Sequence, residues 1–250
     1  MKRMVDFLLR NAIAFEVIAV FLYAFYCLVF AAAATPSALL VRWGTRFLDG
    51  GILMLFLFVF LCFAAFYVFL VSSAVFVGVV ERVLTLGLKP GTYPTGSAVF
   101  FRWLTYAGLH LWMVLLVLPC LRGNNWIKMY LRITGAKIGR GAFLNTKDFY
   151  DPYLLEIGDN VVIGGDATLT CHLFEGGRLH LGKIILGNAT AVGAHAYLTP
   201  GTATGVNSKI GMNTFLQRNT TVRNGETHLS LPSMSLRQAV KLMRKDEKGK

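Results

Sequence analysis

Two histidines, His172 and His195, have the side-chain chemistry and the setting to make a site. Each occupies the fourth place of a six-residue unit, LTCHLF (169–174) and VGAHAY (192–197), beside a segment that leaves the repeat. An imidazole titrates near neutral pH, so it can take a proton from a hydroxyl or amine as that group attacks a carbonyl. A positioned base of this kind contributes about 10²–10⁴-fold in rate. Glu175, three residues after His172, can orient the ring or fix its tautomer, and is equally well read as a plain loop carboxylate. Asp148 and Asp151, in KDFYDP, can reach the same groove and bind an acceptor, or simply make turns. For His195 a polar residue at an outward position is as good a reading as a ligand. Cys171 is a poor nucleophile candidate, since on a strand it faces away from His172.

The element that must carry these residues is a hexapeptide repeat. Units open at Ile157, Ile163, Leu169, Leu186, Val192, Leu198, Thr204, Ile210 and Leu216, with glycine at the second place of most and a small residue at the fifth. The period predicts a β-helix: each unit is one flat strand and one corner, the opening aliphatic side chain points inward, glycine tolerates the sharp backbone, and three units close a coil. A single coil cannot bury its apolar row, so stacked coils make the core. IGRGAF (138–143) and LNTKDF (144–149) form an imperfect first coil. The register breaks at EGGRLHLGKII (175–185), read as one hexad plus a loop of about five residues. On that accounting the units at 169 and 192 stack, placing His172 and His195 one above the other.

LTCHLFEGG followed by LGNATAVGAHAYLTPGTATG resembles the hexapeptide-repeat acyltransferases, and VGAHAYLTPG is similar to a coil of the galactoside and maltose O-acetyltransferases. A membrane segment followed by LLEIGD and TLTCHLFE is similar to the C-terminal membrane region of ε-poly-lysine synthetase and related peptide-synthetase terminal domains. The resemblance covers roughly Ile138 to Ile210. It implies a left-handed parallel β-helix, a homotrimer with sites between neighbouring prisms, acetyl-CoA or another acyl thioester as co-substrate, and His172 as the general base. The family commonly closes with Gly-x-Pro-small after the last coil, where this chain has Leu231-Pro232-Ser233, so a donor contact from that turn is in doubt.

The 250 residues are 55% hydrophobic with a formal charge of +12, and nearly all the apolarity lies before Leu121. Stretches at about 12–34, 51–80 and 97–121 are long and apolar enough to span a bilayer. AAAATPSA after the first could pass for a cleavage site, but the apolar run exceeds a signal-peptide core. A polar link is expected at Thr35–Gly50 and a turn-rich loop at Glu81–Gly96. His110 lies near the middle of the third stretch, either functional or bonding between helices. Arg122, Lys128, Arg132, Lys137 and Arg140 then alternate with apolar residues over 122–137, as in an interfacial amphipathic helix or a cap on the β-helix. This cluster favours a cytoplasmic β-helix by the positive-inside bias, while Lys2, Arg3 and Arg10 pull the other way. The charge sits beside the membrane and in the tail, where anionic lipid explains it and nucleic acid is not needed.

These readings make an α+β membrane protein: transmembrane helices over 1–121, an interfacial or capping helix at 122–137, a β-helix over 138–222, and a C-terminal helix and basic tail over 223–250. The expected function is acyl transfer to a membrane-associated hydroxyl or amine, with membrane lipid as a partner. The alternative is a trimeric scaffold for a larger synthetase. A metal enzyme fits poorly, since His172, His180 and His195 lack a closely spaced ligand pair.

Overall fold

The computed structural model describes residues 12–47 and 51–229. The basic lead at the start of the chain, and the expected terminal helix and tail beyond His228 and Leu229, lie outside the described residues. Helix α1 runs Ala12–Gly44 and α2 runs Ile52–Thr85. Strand β1 (Gly91–Pro94) leads into α3 (Ala98–Trp112), which continues through a π-helical turn, Met113–Val117, to Leu118–Leu121. Helix α4 spans Asn125–Thr134. Three stretches, Glu16–Phe47, Ile52–Thr85 and Ala98–Leu121, are long and apolar enough to cross a membrane, with mean hydropathies of 2.4, 2.9 and 1.8.

Two expected connections turn out to be structured. Most of the expected link at Thr35–Gly50 is helical, because α1 continues through Pro36 to Gly44. The Ser37 hydroxyl donates to Ala34 O at 2.8 Å and that of Thr35 to Ala31 O at 3.0 Å, so side chains take up carbonyls of the preceding turn. In the expected loop 81–96, α2 persists to Thr85, and Arg102 of α3 caps its last turn by donating to Leu84 O at 2.6 Å. Ser97 caps α3, its hydroxyl accepting from Phe100 N at 3.2 Å.

The repeat folds as a prism with three parallel faces, the arrangement expected of a left-handed β-helix. One face stacks β2 (Lys137–Ile138), β5 (Leu155–Ile157), β10 (Ile184–Leu186), β13 (Ala203–Thr204) and β16 (Thr221–Val222). A second stacks β3 (Phe143–Leu144), β6 (Val162–Ile163), β11 (Ala191–Val192), β14 (Lys209–Ile210) and β17 (Thr227–His228). The third stacks β4 (Phe149–Tyr150), β7 (Thr168–Thr170), β12 (Tyr197–Leu198) and β15 (Phe215–Leu216). Inward rows such as Leu144, Ile163, Val192, Ile210 and Phe149, Leu169, Leu198, Leu216 are buried. Each such side chain contributes ~1.5–3 kcal/mol of burial.

The glycine at the second place has a different role from the one expected. The left-handed backbone falls at the fourth place, at Asn160, Asp166, Ala189, His195, Asn207, Asn213 and Asn219, with φ between 53° and 62°. The second-place glycines are instead excluded volume: a Cβ on Gly193 would lie 2.5 Å from Met212 N in the next coil. Adjacent coils approach too closely there for any side chain.

Register is the other correction. Leu169 pairs with Leu198 and Ile163 with Val192, so the unit at 192 stacks on the one at 163, and His195 does not lie over His172. The reason is that the excursion inserts eleven residues with no hexad among them, leaving the prism at His172 and rejoining the first face at Ile184 in β10. β8 (His172–Glu175) and β9 (Arg178–Leu181) form an antiparallel hairpin closed by Gly176 and Gly177, both at positive φ. Two left-handed central residues match the right-handed twist of the strands. The hairpin is tied to the helical region, because β1 pairs antiparallel with β9 from Gly91↔Leu181 to Pro94↔Arg178.

Helix α4 closes the first coil. Ile127, Tyr130, Leu131 and Thr134 make one buried stripe, Arg132 donates to Ile138 O at 3.0 Å and Lys128 to Ala142 O at 3.1 Å. Its basic residues thus cover backbone carbonyls that a solenoid end would leave open. One buried apolar cluster runs from Tyr26 in α1 to Val222 in the last coils, so helices and prism share a core.

Candidate active site

The site lies where the hairpin departs from the third face. Asp151 follows β4 in a left-handed conformation (φ 59°) and is 2% exposed. Its Oδ2 accepts from His172 Nδ1 at 2.6 Å, and its Oδ1 accepts from the Trp103 indole N–H at 2.7 Å. An ionised carboxylate only accepts, so His172 carries its proton on Nδ1 and its lone pair on Nε2. The His172 side chain is 26% exposed against 1% for Asp151, which puts an open base on a buried orienting carboxylate. Thr170 Oγ1 lies 3.5 Å from the same Nδ1 and donates to the His172 carbonyl at 3.2 Å.

A groove of about 310 Å³ opens on this face, lined by Tyr150, Thr168, Thr170, His172 and Tyr197. These are the outward positions of β4, β7 and β12 beside the hairpin, which is why alternate residues of the hexads, and not their inward aliphatics, form its floor. Aromatic rings wall one side. Trp103 meets the His172 ring edge-on at 4.9 Å between centroids, Phe174 packs against Trp103 at 5.3 Å, and Phe100 against Phe174 at 6.0 Å. Burial pushes the Tyr150 phenol up, so it stays a hydrogen-bonding hydroxyl at neutral pH.

The structure separates the residues singled out in the sequence. His172 and Asp151 come together, with Asp151 on the imidazole where acceptor binding was expected. Glu175 does not orient the ring: in β8 it alternates away from His172, sits at the hairpin tip and pairs with Arg218 at 3.4 Å. Asp148 pairs with Lys147 at 3.0 Å and does not line the groove. His195 is a corner residue, its backbone N donating to Gly165 O at 2.9 Å, two residues before β12 and outside the groove. Cys171 is fully buried, and burial pushes its thiol well above its usual range, which removes it as a nucleophile. In the sequence Trp103 is simply part of an apolar span. Its signal was an indole N–H needing a partner in an apolar run, with no carboxylate near it in sequence.

No family model matches the chain. Over 172 residues it is 30% identical to delta-poly-L-ornithine synthetase of Acinetobacter baumannii (strain AB307-0294), covering 67% of this chain and 12% of that protein. Over 82 residues it is 34% identical to galactoside O-acetyltransferase of Escherichia coli (strain K12), covering 30% of this chain and 40% of that protein. The chain thus spans less than half the length of either relative. Among solved structures, a maltose O-acetyltransferase from Clostridium difficile 630 superimposes with a TM-score of 0.40 at 15% identity, covering 61% of this chain and 93% of that one. The proteins this chain is similar to are hexapeptide-repeat acetyltransferases and a poly-ornithine synthetase, the family to which its TLTCHLFE segment was likened.

Proposed function

We propose that this chain is a membrane-bound acyltransferase that moves an acyl group, acetyl by the chemistry of its relatives, from a coenzyme A thioester to a hydroxyl or amine of a membrane-associated acceptor. The observation that carries this reading is the His172–Asp151 pair at 2.6 Å beside an open groove. His172 Nε2 takes the acceptor's proton as its oxygen or nitrogen attacks the thioester carbonyl. Asp151 stabilises the imidazolium so formed. When the tetrahedral intermediate collapses, the carbon–sulfur bond breaks, and the imidazolium returns its proton to the departing thiolate. A scaffold has no need of a buried carboxylate aimed at a half-open imidazole.

On this reading residues 1–121 hold the chain in the membrane, 122–137 cap the prism and 138–222 carry the site. The basic cluster from Arg122 to Arg140 supports a prism on the cytoplasmic side, the side on which acyl-CoA is found. The open side of the groove, with Tyr197 stacked on Phe215 at 5.6 Å, is the face a second prism would complete in a homotrimer. The test is transfer of label from radioactive acetyl-coenzyme A into lipid and polymer fractions of membranes carrying wild-type protein or His172→Gln. Label lost by about 10³-fold in the variant is expected; equal transfer would refute the base.

A further inference from the structure

The helices contribute more than an anchor. Trp103, Tyr106 and His110 lie on one face of α3, each 4% exposed or less, and that face packs on the segment Phe149–Tyr153 that ends in the site. Two of the three hold that segment by hydrogen bonds. Trp103 donates to the Asp151 carboxylate at 2.7 Å, and His110 Nε2 donates to the Phe149 carbonyl at 2.6 Å, two residues earlier. The left-handed backbone at Asp151 is therefore fixed on both its side chain and its approach. Resting on the acyl-transfer reading above, we infer that Trp103 and His110, both from an apolar helix, are positioning residues of the His172–Asp151 pair, so that the β-helix alone is an incomplete enzyme.

His110 is itself held by a proton count. The Phe149 carbonyl can only accept, so Nε2 carries hydrogen. Tyr130 OH lies 2.8 Å from His110 Nδ1 and 2.6 Å from Glu81 Oε2, and has one proton for two neighbours. Either Glu81 is ionised and His110 supplies the second proton, or Glu81 keeps it and His110 is neutral. Both arrangements hold the same protons and satisfy the same three contacts. The buried trio ties α2, α3 and α4 to β4, which makes the position of Phe149 a property of the helix bundle.

Trp103 has a sharper consequence. Its N–H can only donate, so it demands an acceptor at Oδ1. With Asp151→Asn, the amide oxygen must turn to Trp103, leaving its NH₂ toward His172 Nδ1. That puts the imidazole proton on Nε2, the wrong nitrogen for a base. If Trp103 is also removed, the amide is free to turn its oxygen to Nδ1 and restore the productive tautomer.

Among the described residues the titratable groups around the imidazole are Asp151, Tyr150 and Tyr197; Thr168, Thr170, Trp103 and Phe174 are its other neighbours. The experiment uses full-length protein in detergent, ¹⁵N-labelled at histidine, with acetyl-coenzyme A as donor and parent membranes as acceptor. Trp103→Phe is expected to lower kcat about 10-fold with KM for acetyl-coenzyme A unchanged, and to speed solvent exchange of the His172 Nδ1–H resonance, identified by its absence in His172→Gln. In the Asp151→Asn background the same change is expected to raise kcat. His110→Leu should lower kcat and hasten that exchange, and His110→Gln, whose amide N–H replaces Nε2–H, should restore both to within about threefold. Wild-type kcat and exchange in Trp103→Phe, a double variant no better than Asp151→Asn, or equal losses in His110→Leu and His110→Gln would each overturn the inference. Undiminished transfer by His172→Gln would refute His172 as the base instead, while the exchange measurement, which needs no substrate, still decides whether Trp103 and His110 position the pair.

Discussion

Asp151→Asn is the substitution whose cost can be worked most fully from the geometry. It removes one charge and no volume, so the fold is little perturbed. Two losses follow. The first is tautomeric: reaching the productive ring form means turning the amide against the Trp103 N–H, which leaves a buried donor unpaired at about 1–3 kcal/mol. The second is electrostatic. Unit charges about 4 Å apart attract by about 4 kcal/mol at an effective dielectric constant near 20. Because the His172 side chain is 26% exposed, we take about half of that. Together the losses come to about 3–5 kcal/mol, or roughly 150- to 5,000-fold in kcat. The assay is initial-rate transfer from labelled acetyl-coenzyme A by purified protein in native-membrane particles, with thermal unfolding alongside. A loss under about 10-fold in folded protein, or one confined to KM, would refute the orienting role of Asp151.

Other expectations are smaller. Cys171→Ala should keep transfer within about threefold of wild type, and native Cys171 should resist alkylation that modifies the unfolded chain; loss of activity would reopen the thiol as a nucleophile. Gly177→Ala meets no atom within 4 Å but must adopt φ 73°, so it should cost about 1–2 kcal/mol in denaturant unfolding. Gly193→Ala should cost far more, because its Cβ strikes the Met212 backbone; similar values for the two would contradict close stacking of the coils. Glu156 accepts from Lys183 at 2.6 Å, and this bond holds its carboxyl below the usual range. A lowered folded value stabilises above the ordinary carboxylate range and fades as pH falls through it. Glu156→Gln should therefore cost no more than ~1 kcal/mol at pH 7, and nothing at a pH where both states are protonated; a constant difference across pH would rule out the ion pair as its cause.

The sequence by itself determined the periodic part. A six-residue period with an aliphatic at almost every opening, sustained over nine units from Ile157 to Leu216, is met by stacked three-sided coils that bury the opening residues. The apolar helices were equally legible from length and composition, and His172 stood out where the repeat broke. Tertiary structure decided what the repeat could not encode. Whether 175–185 contains a hexad depends on how β9 pairs, and its partner β1 lies more than 80 residues earlier, across α3. EGGR between alternating apolar residues was a readable hairpin signal, yet it could not reveal that the hairpin would be pinned to the helices. Likewise the partner of His172 was fixed by distance in space. Glu175 is nearer in sequence but alternates away on β8, while Asp151 reaches the ring because the coils stack and Trp103 holds it there. Local spacing specifies an element and its faces; which two faces meet is set only when the shared core closes.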